Sequence, residues 1–263
     1  MAAATSGNDK VAIVLAGSRG LGRACADALA TDHRLVVCAR GGQQLEVVAR
    51  GLRDNGAEVV TTAVDLSTPE GVERVFSTAD EAYGRVDVLV ANAGGPPPGT
   101  FVSLDEDAWR IGFELTLMSA VRSIRHAIPR MTEVGGGRIL ILGSSSVRSP
   151  IANLVISNTY RPGLAGLVKS LAVELAPDNI TVNMVSPGRV ATDRLQELDE
   201  AAAERQGIDV ETVQERSIAR IPMGRYGKPQ ELAAMVAFLA SDGAGYITGQ
   251  SVLVDGGMVP TLP

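Results

Sequence analysis

The chain has 263 residues, of which 45% are hydrophobic, and its net charge is −6. This length suits one large α/β domain, and the hydrophobic fraction excludes a disordered protein. The acidic balance and the lack of any basic run argue against binding to nucleic acid or to an anionic membrane surface. The first residues lack the apolar stretch of a signal peptide, and no window has the ~18 apolar residues of a membrane span. A cytoplasmic protein is therefore expected.

Short apolar runs alternate with segments of helical period along the whole chain. The lack of polar alternation within the runs predicts strands that are buried on both faces. The predicted strands are Val11–Leu15, Leu35–Cys38, Glu58–Val64, Val86–Val90, Arg138–Leu142, Ile180–Val185 and Ser251–Val254. The predicted helices lie near 21–31, 43–55, 69–83, 105–132, 154–176 and 229–241. This order predicts an α/β fold of Rossmann type, a doubly wound, seven-stranded parallel sheet in a single domain covering 1–263.

Two segments interrupt the alternation, and both follow predicted strands. Gly94–Thr100 is too rich in Pro and Gly for a helix or a strand, and 189–227 mixes acidic and basic residues without a strand candidate. Ligands of open α/β sheets bind outside the carboxyl ends of the strands. Both segments are therefore expected to border the site, with 189–227 as a mobile lid. We expect Glu197–Glu204 to be a solvated helix face, and residues 1–9 to be flexible.

The first predicted strand runs into a glycine-rich turn, Ala16–Gly22, and a helix follows at once. Glycines allow the backbone to turn tightly and to approach a pyrophosphate, which the helix N-terminus stabilises. A plain strand-to-helix turn explains such a motif almost as well when it stands alone. Its position on the first strand favours a dinucleotide site.

With these residues the chain resembles the short-chain dehydrogenase/reductase family. The family pattern Thr-Gly-x-x-x-Gly-x-Gly aligns its last seven positions with Ala16–Gly22 without a gap, and further motifs follow in the family's order over roughly 10–257. The 3-oxoacyl-acyl-carrier-protein reductase branch is the most similar. The resemblance implies a nicotinamide cofactor held by Gly17, Ser18, Arg19, Gly20, Leu21, Arg40, Asp65, Leu66, Asn92, Gly94, Gly188, Val190 and Thr192.

The charge near the adenosine ribose predicts which nicotinamide cofactor is used. NAD sites place an acid at the end of the second strand, whereas an arginine meets the 2′-phosphate of NADP. Here that strand ends at Arg40, and Arg19 stands in the glycine-rich turn, so NADP(H) is predicted. The simpler interpretation of Arg40 is a solvated charge. Ala16 replaces the family's first glycine, so either Ala16 adopts a positive φ or the turn shifts and Gly17 takes that role.

The catalytic positions of the family are only partly kept. The family uses a Ser, a Tyr, a Lys four residues after it, and an Asn on the preceding long helix. Ser144 matches the Ser, while Ser157, Arg161 and Thr116 stand at the Tyr, Lys and Asn positions. Serine is a far weaker acid than tyrosine, and arginine stays protonated and cannot relay a proton. Tyr160 is a candidate replacement acid, although a helix-surface or subunit contact explains it as well.

The leading hypothesis is an NADP(H)-dependent oxidoreductase acting on a carbonyl or alcohol substrate. Ser144 would orient the substrate oxygen, and Tyr160, or a water held by Ser157 and Arg161, would supply the proton. The altered positions leave two alternatives, namely non-redox chemistry (isomerase, dehydratase or cyclase) and a non-catalytic NADP(H)-binding protein. Arg148 either meets an anionic substrate or pairs at the surface. No metal site is predicted, and the resemblance implies a homotetramer or a homodimer.

Overall fold

The computed structural model describes residues 9–261. The predicted flexible segment 1–9 lies outside the described residues, apart from Asp9. The strands are β1 (Val11–Val14), β2 (Arg34–Ala39), β3 (Val59–Ala63), β4 (Val88–Ala91), β5 (Gly137–Leu142), β6 (Ile180–Pro187) and β7 (Ser251–Val254). They form one sheet in the order β3-β2-β1-β4-β5-β6-β7, and every pair is parallel. The predicted fold class is thereby confirmed.

Helices cover both faces of this sheet. They are α1 (Gly20–Leu29), α2 (Gly42–Asp54), α3 (Pro69–Tyr83), α4 (Glu106–Gly112), α5 (Ser119–Glu133), α6 (Val155–Leu175), α7 (Asp193–Gln206), α8 (Val210–Ile218) and α9 (Pro229–Ala240). Alternate residues of β1 belong to two separate core clusters: Val11 and Ile13 pack with α3, α5 and α6, while Ala12 and Val14 pack with α1, α2 and α9. Burial on both faces explains why the strands are apolar without alternation.

The strand order reverses between β1 and β4, which are neighbours in the sheet. A crevice opens at such a switch point because the crossovers on either side leave in opposite directions. The glycine-rich turn follows β1, and Asn92 directly follows β4. The switch point therefore places both motifs side by side.

The long helix predicted over 105–132 is interrupted. Between α4 and α5 the backbone forms a π-helical segment, Phe113–Met118, which contains Thr116. A π turn holds an extra residue within one helical turn, and the 3.6-residue period of the side chains does not announce it. Gly112, the residue before this segment, packs closely against α6, since a side chain at Gly112 would collide with Ile156. The prediction was thus right about the helical course and wrong about its regularity.

The segment 189–227 contains two helices, α7 and α8, which the sequence analysis did not predict. Thr192 and Asp209 cap their N-termini by accepting hydrogen bonds from backbone N–H groups. The buried Asp199 anchors α7, because it accepts hydrogen bonds from Arg189 at 2.7 Å and from the Tyr226 hydroxyl at 2.9 Å. Over the described part of the chain, no helix combines the length and the apolar character needed to cross a membrane.

Candidate active site

The glycine-rich turn keeps the register of the ungapped alignment. Ala16 has a φ of +50°, and Gly20 has a φ of +55°. Gly17 lies outside the left-handed region, and its N–H donates to the carbonyl of Cys38 at 2.9 Å. Ala16 itself therefore adopts the strained conformation, and the alternative of a shifted turn is wrong. A left-handed φ costs an L-residue about 1–2 kcal/mol.

Close packing requires glycine at two other positions of this turn. A side chain at Gly17 would collide with Val37 of β2, and one at Gly22 would collide with the carbonyl of Ala16. Asn92 holds the turn in place from β4, since its Nδ2 donates to the carbonyl of Leu15 at 3.2 Å. Asn92 therefore stabilises the conformation of the turn.

The N-terminus of α1 can receive an anion. Arg19 occupies the N-cap position without a capping hydrogen bond from its side chain, and the first turn of α1 contains no acid. The backbone N–H groups of the first turn lack helical partners, and the helix dipole favours negative charge there. This geometry fits a cofactor phosphate. Ser18 and Leu21 flank Arg19 and Gly20 in the same turn.

Arg40 and Asp65 follow the carboxyl ends of β2 and β3, and both are exposed. Asp65 accepts hydrogen bonds from the backbone N–H and the hydroxyl of Ser67, at 2.9 and 2.8 Å. These bonds lower the pKa of the Asp65 carboxyl, and the positive charge of Arg40 lowers it further. Arg40 therefore lies close to Asp65, and its exposed guanidinium is accessible to a phosphate.

The remaining predicted cofactor residues lie at the carboxyl ends of β3, β4 and β6. Leu66 is buried, whereas Gly94 is exposed. Gly188 packs tightly against Asp255, and Val190 forms a parallel bridge with Gly227. Thr192 caps α7 above the glycine-rich turn. The strand ends therefore bring these residues to one edge of the sheet.

Three serine residues, Ser144, Ser146 and Ser157, are linked by hydrogen bonds beyond the end of β5. Ser144 Oγ accepts a hydrogen bond from the backbone N–H of Ser146 at 3.1 Å, which leaves the proton of the Ser144 hydroxyl available. The hydroxyls of Ser146 and Ser157 lie 3.4 Å apart, and both residues are buried. The structure thus joins the predicted Ser144 and Ser157 through Ser146, which sequence reasoning had passed over.

Arg161 binds the backbone at the end of β5. Its Nη1 donates to the carbonyls of Leu142 and Gly143, both at 2.9 Å. Burial lowers the pKa of the Arg161 guanidinium to about 10, and the charge of Arg194 adds to this lowering. Arg161 therefore remains a cation at neutral pH, placed one helical turn from Ser157.

The Tyr160 hydroxyl points toward α4. It donates to the carbonyl of Trp109 at 3.4 Å, and its ring makes edge contacts with Trp109 and Phe113, each with 5.8 Å between centroids. The Tyr160 hydroxyl therefore makes no hydrogen bond to the serine hydroxyls that follow β5. Arg148 is exposed after the short helical turn Ser145–Val147.

Thr116 lies inside the π-helical segment, and its buried hydroxyl has no hydrogen-bond partner among the described residues. A cavity of about 10 Å³ adjoins Thr116, Asn92 and Arg161, and this volume is about that needed for one water molecule. The structure therefore brings the Asn position of the family pattern next to the Lys position. Within residues 9–261 no group of His, Cys, Asp and Glu side chains is arranged to hold a metal ion.

Comparison with known proteins assigns the family. Residues 15–259 match the family model described as Enoyl-(Acyl carrier protein) reductase. The chain is 36% identical over 252 residues to 3-oxoacyl-[acyl-carrier-protein] reductase FabG of Salmonella typhimurium, covering 95% of this chain and 97% of that protein. The chain belongs to the short-chain dehydrogenase/reductase family.

Other members of this family extend the similarity. NADPH-dependent reductase BacG of Bacillus subtilis is 32% identical over 256 residues, covering 96% of this chain and 99% of that protein. The crystal structure of L-sorbose reductase from Gluconobacter frateurii, complexed with NADPH and L-sorbose, superposes with a TM-score of 0.91 at 34% identity, covering 96% of this chain and 97% of that one. The similarity therefore includes the whole sheet and the segment 189–227.

Two charged residues of α7 reach the site, and sequence reasoning did not assign them to it. Glu197 lies 3.6 Å from Arg19 and 3.3 Å from Arg194. Glu197 had been expected on a solvated helix face, and its side chain is indeed partly exposed, but it faces the glycine-rich turn. The three-residue spacing of Arg194 and Glu197 was the available signal for their pairing.

The strain at Ala16 leads to a first prediction. We expect Ala16→Gly to raise the free energy of unfolding by about 0.5 kcal/mol, because relief of the left-handed φ exceeds the entropy that glycine adds to the unfolded chain. Chemical denaturation measures this change. Ala30→Gly, at a φ of −61°, is the control and should lower stability. Equal destabilisation by both variants would contradict the strain at Ala16.

The unpaired hydroxyl of Thr116 leads to a second prediction. We expect Thr116→Val to raise the free energy of unfolding by about 1 kcal/mol, because it removes a buried polar group without a partner and keeps the shape. Ser123→Ala, whose hydroxyl donates to the Ser119 carbonyl at 2.7 Å, should lower stability by a similar amount. A loss of stability in Thr116→Val would mean that the hydroxyl is hydrogen-bonded in solution.

Proposed function

We propose that the chain is an NADPH-dependent reductase that acts on a carbonyl group at the end of β5. The observation that carries the proposal is the uncapped α1 N-terminus with Arg19 at its N-cap, on a fold whose relatives include an NADPH-dependent reductase. Arg40 follows the end of β2, where the Cys38 carbonyl is bonded to the Gly17 N–H of the same turn. Arg19 and Arg40 would share the 2′-phosphate, since guanidinium–phosphate pairs are strong and directional. Bound NADPH supplies a hydride to the carbonyl carbon.

The serine cluster and Arg161 would handle the oxygen of the carbonyl group. Ser144 has a free hydroxyl proton with which to hold that oxygen, because its lone pair already accepts from the Ser146 N–H. Arg161 would stabilise the negative charge that develops on the oxygen, since its guanidinium is held by backbone carbonyls and remains cationic. This arrangement supports electrostatic stabilisation without a tyrosine.

The proton that completes the alcohol would come from water held by Ser157 and Arg161. Ser157 is buried, and its hydroxyl lies 3.4 Å from that of Ser146, so a proton can pass between these two hydroxyls. Ser144 is joined to Ser146 through the backbone N–H of Ser146, which fixes the position of Ser144 and does not relay a proton. Tyr160 is the second candidate for this role, and its hydrogen bond to the Trp109 carbonyl argues against it. The departures at Thr116, Ser157 and Arg161 are thus compatible with reduction.

Cofactor choice gives a third prediction. We expect Arg40→Ala to weaken NADPH binding by about 10- to 100-fold, because a charge-assisted hydrogen bond to the 2′-phosphate is lost. NADH binding should change much less, since NADH lacks that phosphate. Titration with quenching of Trp109 fluorescence measures both affinities. Arg50→Ala, an exposed change on α2, is the control. An equal loss for NADPH and NADH would remove Arg40 from the phosphate site.

The proton donor gives a fourth prediction. We expect Ser157→Ala to lower kcat by about 100-fold, the usual contribution of a positioned proton-transfer group, and Tyr160→Phe to lower it by much less. Stopped-flow loss of the nicotinamide absorbance under single-turnover conditions measures the step. The reverse order of the two variants would transfer the role to Tyr160. Consumption of a substrate without any change in nicotinamide absorbance would favour non-redox chemistry in the same pocket.

A further inference from the structure

Arg194 is a cationic residue beside the proposed site. The proposed reduction does not require it. Arg194 lies in the first turn of α7, whose N-cap Thr192 packs over Gly20 of the glycine-rich turn. Its Nη2 donates to the carbonyl of Pro96 at 3.1 Å, so the side chain spans from α7 to the loop after β4. Arg194 therefore lies across the crevice at the strand-order reversal.

The loop after β4 is shaped to accept this guanidinium. A Cβ at Gly95 would lie 3.0 Å from Arg194 Nε and 3.3 Å from Cζ, so any side chain there would crowd the guanidinium, which rests close to the backbone. The Arg194 side chain is also partly buried. Its position is thus built by two segments, α7 and the β4 loop, and is not that of a free surface charge.

The charges around Arg194 are unbalanced. Arg161 is close enough for the charge of Arg194 to lower its pKa, and in residues 9–261 Arg161 contacts backbone carbonyls without a paired carboxylate. Glu197 is the acid that pairs with Arg194, and it is shared with Arg19. Arg19 and Arg194 thus share one carboxylate, and Arg161 has no ion pair within residues 9–261, an arrangement that favours the entry of another anion.

Glu197 shows which group fits at Arg194. Its carboxylate lies 3.3 Å from Arg194 Nη1, and its side chain is 47% exposed. An exposed ion pair of this kind is worth only about 0–1 kcal/mol, so another carboxylate can replace it readily. A planar carboxylate also matches the fork of donors on a guanidinium.

We propose that Arg194 selects substrates that carry a carboxylate near the carbonyl to be reduced, so that the preferred substrates are oxo acids. Glu197 occupies the guanidinium until the substrate carboxylate replaces it. This inference rests on the proposed function, because it assigns the substrate class of the same site. The anion could instead be the pyrophosphate of the cofactor, and the two sources are separated by experiment.

The test compares an oxo acid with its neutral ester, for example 3-oxobutanoate and its methyl ester, at saturating NADPH. We expect the wild-type chain to prefer the acid. Arg194→Gln should lower the ratio of kcat/KM for acid over ester by about 10- to 100-fold, mainly through KM, because a charge-assisted contact to bound substrate is lost. Arg205→Gln, in the last turn of the same helix, is the matched control and should leave the ratio unchanged.

Two further variants act on Arg194 through its neighbours. Glu197→Gln removes the competing carboxylate and should tighten binding of the acid by about two- to fivefold. Gly95→Ala should shift the guanidinium by a few tenths of an ångström and lower the acid-to-ester ratio in the same direction as Arg194→Gln, by a smaller factor. If Arg194 had only a structural role, its replacement would lower kcat/KM equally for the acid and for the ester, and the acid-to-ester ratio would not change.

Several results would overturn the proposal. An unchanged acid-to-ester ratio in Arg194→Gln would do so, and so would a fall in the ratio with Arg148→Gln instead. A tenfold loss of NADPH affinity in Arg194→Gln at an unchanged ratio would assign Arg194 to the cofactor phosphates. If neither substrate oxidises NADPH, the proposed reduction fails, but Arg194 is still tested. Thermal shift of the NADP⁺-saturated chain then compares binding of acid and ester in the same variants.

Discussion

The parallel direction of all seven strands is the constraint on which the site depends. Parallel strands end at one edge of the sheet, and the backbone carbonyls and N–H groups at that edge need partners from loops and side chains. Asn92 serves the carbonyl that follows β1, and Arg161 serves the carbonyls at the end of β5. The groups that complete the sheet are therefore also those that line the proposed site.

Arg161 shows how a side chain that binds the strand end also determines the chemistry available there. A lysine at this position would present a point charge that can lose its proton, whereas the guanidinium is a planar donor that keeps it. One nitrogen of Arg161 is already engaged with two carbonyls, which fixes its orientation without a carboxylate. The residue can hold negative charge but cannot relay a proton. In the proposed mechanism, proton movement at this edge consequently depends on hydroxyl groups, and those of Ser157 and Ser146 lie 3.4 Å apart.

The fold was largely predictable from the sequence, because burial on both faces produces uninterrupted apolar strands such as β5 and β6. The alignment also showed that either Ala16 or Gly17 must take a positive φ, but it did not show which of the two residues does so. The π-helical segment around Thr116 was hidden, since one extra residue per turn scarcely changes side-chain periodicity. The direction of Tyr160 was equally hidden. It depends on the packing of α6 against α4, where Trp109 and Phe113 supply aromatic partners.

The contacts of α7 involve residues that are distant in the sequence. One face of the helix is anchored, whereas side chains on the opposite face are exposed. Asp199 is buried and fixes the helix to Arg189 and Tyr226, so α7 is held by its inner face. Glu197, one half-turn earlier on the opposite side, is exposed and lies between Arg19 and Arg194. Buried hydrogen-bonded charges are costly to disrupt, whereas exposed ion pairs are weak. Exchange of an anion at Arg194 therefore requires a new rotamer of Glu197 and leaves the anchor of the helix intact.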